Sequence, residues 1–157
     1  MPKLDLSSLT PRTGSSYPEP FASQMQGRSS LRLGEAGGLT QFGANIVILQ
    51  PGAMSSQRHW HLKEDEFVLM LSGECVMVLD GGETVMRAGD AAAFPAGLAD
   101  GHHFINRTSE EARFLVVGSK HPDEVCTYSD VDLHLTMDEG AFAYRHKDGT
   151  PYPKKGA

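Results

Sequence analysis

The sequence has few cysteines. Only Cys75 and Cys126 occur among its 157 residues, so a disulfide framework cannot hold the fold together. The first ten residues contain no apolar block followed by a small-residue cleavage site, which argues against a secretory signal. Both observations favour a reducing compartment, and we expect a cytoplasmic protein.

Basic runs and long apolar runs are also missing. Lys and Arg total 14 against 20 Asp and Glu, which gives a formal net charge of -6. We therefore expect no nucleic-acid partner, because contact with a phosphate backbone needs a basic surface. The longest apolar runs, such as Ile46 to Leu49 and Phe67 to Leu71, fall far short of the ~20 residues that span a bilayer, so we expect no membrane association either.

A sustained helical stripe of apolar residues is absent as well. From Gln41 onward the apolar residues come in short runs separated by Gly, Pro and Asp, which is typical of strands. The predicted strands are Asn45 to Leu49, Phe67 to Leu71, Cys75 to Leu79, Thr84 to Met86, Ala91 to Phe94, Phe104 to Asn106 and Phe114 to Val117. Asp80-Gly81-Gly82 supplies a hairpin turn between two of them. The pattern predicts one all-β domain over residues 31–118, built as an antiparallel sandwich or barrel.

Two segments flank this domain. Residues 1–30 contain Pro11, Pro18 and Pro20 among Ser, Gly and Gln, and we expect an extended arm because this composition buries little apolar surface by itself. Residues 119–157 contain too many apolar side chains to remain in solvent. We expect this tail to cover the barrel wall or to reach a second subunit, and we expect a homodimer.

Histidine, in contrast, is abundant: the chain has seven. His59 and His61 lie two positions apart, so on a strand both imidazoles point to one face while Trp60 points to the other. Two neighbouring neutral imidazoles are natural ligands for a divalent metal. Glu66 could add a carboxylate, with Glu64 and Asp65 as rivals.

A second cluster follows a Pro-x-Gly turn at Pro95 and Gly97. It contains His102 and His103, followed by Asn106. Each histidine is a candidate for a further metal ligand.

The two clusters resemble the two motifs of the cupin superfamily. The matching residues are Gly52, His59, His61, Glu66 and Gly73 in the first motif, and Gly89, Pro95, Gly97, His102 and Asn106 in the second. The resemblance covers about half of the chain. It implies a single cupin barrel, a jelly roll or double-stranded β-helix with extended N- and C-terminal arms. It also implies one divalent transition metal per chain (Mn, Fe, Ni, Co or Zn), held by His59, His61, Glu66 and His102.

The spacing departs from the family pattern in two loops. Six residues separate Gly52 from His59 where five are usual, and four separate Gly97 from His102 where two are usual. The His-x-x-x-Asn step to Asn106 favours His102 over His103 as the ligand. The six-residue step to Gly73 likewise favours Glu66 over its neighbours.

The resemblance is to small monocupins of the sugar-phosphate isomerase-like subgroup. It implies a metal-dependent enzyme that acts on a small polar metabolite. An Fe(II)-dependent dioxygenase and a non-catalytic small-molecule-binding or sensor protein are the alternatives. Gln57, which shares the parity of His59 and His61, and His103 are the candidates for substrate binding. Neither motif offers an unassigned inward carboxylate or lysine as a base, or a basic cluster to hold a phosphate.

Overall fold

Strands dominate the fold. The computed structural model describes residues 3–153, and they form the elements that follow. The strands are β1 (Arg12–Thr13), β2 (Arg28–Arg32), β3 (Phe42–Leu49), β4 (His59–His61), β5 (Glu66–Ser72), β6 (Glu74–Leu79), β7 (Gly82–Arg87), β8 (Ala91–Phe94), β9 (His103–Ile105), β10 (Ala112–Ser119), β11 (Val125–Tyr128), β12 (His134–Asp138) and β13 (Ala141–Arg145). The helices are α1 (Leu33–Ala36) and two 3-10 turns, Leu6–Ser8 and Ala22–Met25, and none of them is long and apolar enough to cross a membrane.

The strands close a jelly-roll barrel from two layers. One layer is a six-stranded antiparallel sheet in the order β1-β2-β3-β10-β5-β8. The other combines β13-β12-β11-β4 with β7-β6-β9, which are joined through the bridges His59–His102 and Met54–Ile105. The all-β jelly-roll prediction is therefore confirmed.

The main apolar core lies between these layers. It contains Val47, Leu49, Ala53, Val68, Met70, Cys75, Met86, Phe104, Ala112 and Phe114, all of them buried. Val68 and Met70 are 0% and 1% exposed, so they define the inner face of β5. Glu66 shares their parity and points inward at the start of the same strand.

The predicted hairpin at Asp80 and Gly81 is present. Leu79 pairs with Gly82 across β6 and β7, so Asp80 and Gly81 form the turn between the two strands. The turn residues are local, and this is why the sequence alone predicts them.

The N-terminal arm and the C-terminal tail pack on the barrel and on each other. The arm contributes β1 and most of β2, which pairs along its length with β3. A second apolar cluster joins the two segments and contains Tyr17, Phe21, Met25, Cys126, Tyr128 and Leu133. The arm thus extends the sheet, because the unpaired edge of β3 offers backbone groups that β2 satisfies.

Candidate metal centre

The structure brings together His59, His61, Glu66 and His102. His59 and His61 lie on β4, Glu66 begins β5, and His102 immediately precedes β9. His59 and His102 face each other as a backbone hydrogen-bonded pair, with N–O distances of 3.1 and 2.8 Å. Glu66 lies between two imidazoles: its Oε2 is 3.5 Å from Nε2 of His61, and its Oε1 is 3.3 Å from Nε2 of His102.

The imidazoles present their Nε2 atoms to the centre of this group. Nδ1 of His59 lies 2.9 Å from the carbonyl oxygen of Gln57. Because a carbonyl only accepts, Nδ1 carries the proton and Nε2 keeps a free lone pair. The ring centroids of His59 lie 5.0 Å from His61 and 4.8 Å from His102. Ligand atoms of His59, Glu66 and His102 all lie within 4.8 Å of one another, so these residues could hold a metal ion.

Cys126 offers a further ligand atom beside His59 and His61. Burial raises the pKa of its thiol, which disfavours the thiolate that binds metals. The carboxylate of Glu66 is the better donor.

The protonation states of His59 and Glu66 suit a divalent cation. Burial, reinforced by the nearby His102, lowers the pKa of His59 to about 3, so its imidazole is neutral at physiological pH. Burial alone would raise the pKa of Glu66, but hydrogen bonds from His102 and His61 outweigh it and hold that pKa well below its usual range. A neutral imidazole and an ionised carboxylate are the forms that bind metals. These two donors therefore fit the implied ion.

His102 is held by packing. It is 2% exposed, and its ring stacks on Phe94 with centroids 3.6 Å apart and an angle of 8° between the planes. Its Nδ1 has no hydrogen-bond partner among residues 3–153. The orientation of this ring thus depends on Phe94, on Glu66 and on the backbone pair with His59.

A buried carboxylate behind His61 is a residue that the sequence analysis missed. Glu124, just before β11, is 1% exposed and accepts the backbone N–H groups of Leu62 and Lys63 at 2.8 and 2.9 Å. Its Oε1 lies 3.6 Å from Nδ1 of His61. Burial would lower the pKa of His61, but Glu66, Glu124 and Glu64 together raise it. No local motif marks Glu124, because its position depends on the pairing of β4 with β11.

The other two candidate carboxylates, Glu64 and Asp65, do not face the Nε2 atoms. Oε2 of Glu64 lies 3.9 Å from the Nδ1 side of His61, and Oε1 accepts the backbone N–H of His121 at 2.6 Å. Asp65 is exposed and accepts the N–H of Ala96 at 2.8 Å. Of the three acidic residues, Glu66 therefore faces the Nε2 atoms.

The group opens onto a cavity of about 560 Å³. His59, Glu66 and His102 line one part of it, and Tyr17 and Tyr128 lie nearby in the lining. Cavities of this size accommodate small-molecule ligands.

The candidates for substrate contact lie outside this lining. Gln57 is buried, and its amide donates to Oε1 of Gln24 at 2.7 Å. His103 lies on β9 with Nδ1 at 3.0 Å from the carbonyl oxygen of Ser56. Gln57 belongs to the loop that leads into β4, and His103 contacts this loop at Ser56.

Comparisons with known proteins agree with this architecture. A family model described as a cupin domain matches residues 45–118. A crystal structure from Silicibacter pomeroyi, described as a sugar phosphate isomerase from a cupin superfamily, is 53% identical over 98% of both chains, with a TM-score of 0.93. A candidate sugar phosphate isomerase from Acidithiobacillus ferrooxidans is 26% identical over 80% of both chains, with a TM-score of 0.72.

More distant similarity extends to the fold alone. A polyketide cyclase from Streptomyces resistomycificus is 22% identical over 79% of this chain and 83% of its own, with a TM-score of 0.62. A search of the curated proteins found no match. From the two motifs, the jelly-roll barrel and 53% identity over nearly the whole chain, it follows that this chain belongs to the cupin superfamily.

Proposed function

We propose that this protein is a metal-dependent enzyme of the sugar-phosphate isomerase type that acts on a small polar metabolite. The observation that carries the proposal is the group formed by His59, Glu66 and His102, whose ligand atoms lie within 4.8 Å of one another and which line a cavity large enough for such a molecule. His61 adjoins this group, with Nε2 at 3.5 Å from Oε2 of Glu66. The similar protein from Silicibacter pomeroyi, described as a sugar phosphate isomerase, supports this type of chemistry.

The four side chains are assigned to one divalent ion, which is Mn, Fe, Ni, Co or Zn. Three imidazoles and a carboxylate leave one or two positions open on an ion that prefers five or six ligands. When bound there, such an ion supplies Lewis-acid polarisation of a substrate carbonyl.

Tyrosine hydroxyls complete the polar wall of the cavity. The rings of Tyr17 and Tyr128 meet edge to face with centroids 5.5 Å apart, and the ring of Tyr128 lies 5.7 Å from that of His59. Burial raises the pKa of both tyrosines, so their hydroxyls stay protonated at neutral pH. Protonated hydroxyls can donate hydrogen bonds to a substrate oxygen on which negative charge develops.

One observation favours a second candidate, an Fe(II)-dependent dioxygenase. An isomerase needs a base to move a proton, yet Glu66 is the one carboxylate in the lining formed by residues 3–153, and it is assigned to the metal. A dioxygenase needs only the metal and a substrate chelated to it. O₂ consumption separates the two reactions.

The test begins with the metal content of purified wild type, His59→Ala and His102→Ala. We expect stoichiometric metal in the wild type and loss of it in both variants; retention in both would contradict the site. Metal-loaded wild type is then incubated in D₂O with a panel of aldose and ketose phosphates and followed by NMR. Solvent deuterium at the carbon next to the carbonyl supports the isomerase, O₂ uptake without deuterium supports the dioxygenase, and binding without either supports a binding protein.

A further inference from the structure

Strand β2 presents three polar residues to the cavity. Arg28, Ser30 and Arg32 alternate along the strand, so their side chains share one face. All three line the cavity that His59 and Glu66 also line. Strand β2 thus brings two arginines to the cavity, whereas neither cupin motif contains a cluster of basic residues.

The two arginines have no carboxylate partner within residues 3–153. Arg28 is half-buried and donates through Nε to the carbonyl oxygen of Ser55 at 2.6 Å. Neither Arg28 nor Arg32 forms an ion pair within the described part of the chain, although the protein is acidic. Five other arginines do pair, in Arg12–Glu35, Arg58–Asp130, Arg87–Glu74, Arg107–Glu83 and Arg113–Glu111, while Arg145 donates to the carbonyl of Gly149.

The positive charge of Arg28 is destabilising at this half-buried position. Burial lowers the pKa of Arg28, and the neighbouring charge of Arg32 acts in the same direction. A cation removed from water is destabilising until an anion compensates it. An anionic group bound between the two guanidinium groups would relieve both effects.

Ser30 gives a second, independent indication of a ligand. It is 1% exposed, and its Oγ has no hydrogen-bond partner within residues 3–153. A buried hydroxyl without a partner is destabilising, so such groups are rare in folded proteins. Because Ser30 lies between Arg28 and Arg32 on the cavity face, a ligand held by the arginines would reach its hydroxyl.

We propose that Arg28, Ser30 and Arg32 bind the phosphate of a phosphorylated substrate. The proposal rests on the proposed function, because the remainder of that substrate would extend toward His59 and Glu66. A phosphate monoester carries a charge of about -1.5 to -2 and three acceptor oxygens, which matches two guanidinium groups and one hydroxyl. A carboxylate matches less well, because it has one charge and two oxygens.

The test measures the binding of inorganic phosphate to the metal-loaded protein by calorimetry, with acetate at equal ionic strength as the competing anion. The variants are Arg28→Gln, Ser30→Ala and Arg32→Gln. Arg87→Gln is the matched control, because Arg87 is exposed, pairs with Glu74 and lies outside the cavity lining. We expect phosphate to bind more tightly than acetate, and each arginine variant to weaken phosphate binding about tenfold with metal content unchanged.

Phosphate affinity equal to wild type in both arginine variants would overturn the proposal, and so would acetate binding as tight as phosphate binding. Loss of phosphate binding in His102→Ala but not in Arg32→Gln would also overturn it, because the anion would then be bound at the metal. The side chain of Arg32 is exposed and makes no hydrogen bond within residues 3–153, so its variant tests the site even if Arg28→Gln fails to fold. The metal content and the D₂O experiment test the proposed function separately, so a failure of that proposal is distinguished from a failure of the phosphate site.

Discussion

Oε1 of Glu124 lies 3.6 Å from Nδ1 of His61, on the side of the imidazole opposite Glu66. Both oxygens of Glu124 are fixed by the backbone N–H groups of Leu62 and Lys63, which directly follow His61. Nδ1 of His61 has no hydrogen-bond partner within residues 3–153, so the contact with Glu124 is electrostatic. A carboxylate in this position favours a proton on Nδ1, which leaves the lone pair of Nε2 for a metal. The C-terminal tail, which lies outside the matched cupin domain, therefore places a buried carboxylate beside the candidate ligand His61.

Replacing Glu124 by Gln removes the charge behind His61 and keeps the volume of the side chain. We expect metal affinity to fall by about 10- to 100-fold, because such outer partners hold a ligand imidazole in the required tautomer and orientation. A chelator competition measures the dissociation constant. The matched control is Glu110→Gln at an exposed site, and equal constants for Glu124→Gln and wild type would contradict the positioning role.

Acid should destabilise the metal-free protein. The pKa of His59 is about 3 in the folded state against 6.5 when exposed, so below pH 6.5 the unfolded chain takes up a proton that the folded protein does not. The free energy of unfolding then falls as pH drops from 6.5 toward 3, by at most about 1.4 kcal/mol per pH unit. Glu66 acts in the same direction below its usual pKa of 4.5, since its folded-state pKa is lowered. His61, whose pKa is raised, opposes part of the effect.

Urea denaturation of chelator-treated protein at pH 7, 6, 5 and 4 measures this dependence. His59→Asn removes the titrating group and should give a flatter profile. A wild-type free energy of unfolding that stays constant over this range would contradict the assignment of His59 as a neutral, buried imidazole.

The sequence predicts those features that depend on neighbouring residues. Strand parity places His59 and His61 on one face, and the motif spacing to Gly73 favours Glu66 among three acidic residues. The positions of Arg28 and Glu124 cannot be predicted in this way. Arg28 lines the cavity and Glu124 lies beside His61 because strands distant in sequence pair with one another. Arg28 pairs with Leu49, and β11 pairs with β4. Backbone hydrogen bonds determine such pairings, and they leave no local pattern in the sequence.

Gly73 should be irreplaceable for steric reasons. It has φ of +72°, and a Cβ there would lie 2.6 Å from the carbonyl oxygen of Glu111. Gly52 has φ of +82°, but a Cβ added there would meet no atom within 4 Å. Gly52→Ala therefore lowers the free energy of unfolding through the backbone conformation alone, by about 1–2 kcal/mol. We expect Gly73→Ala to cost more than Gly52→Ala in urea denaturation, because the collision adds to the same strain. Equal costs would show that the turn relaxes around the methyl group.

Phe94 should control metal affinity without being a ligand. Its ring stacks on His102 at 3.6 Å, and Nδ1 of His102 has no hydrogen-bond partner in residues 3–153 that could otherwise fix the imidazole. Phe94→Leu keeps an apolar side chain but removes the flat surface, so we expect the ring of His102 to become less well oriented and metal affinity to fall about tenfold. Phe142→Leu, at a site that is 57% exposed, is the matched control. If chelator competition gives the same dissociation constant for Phe94→Leu and wild type, the backbone pair with His59 and the contact with Glu66 suffice to orient His102, and the stack contributes only to packing.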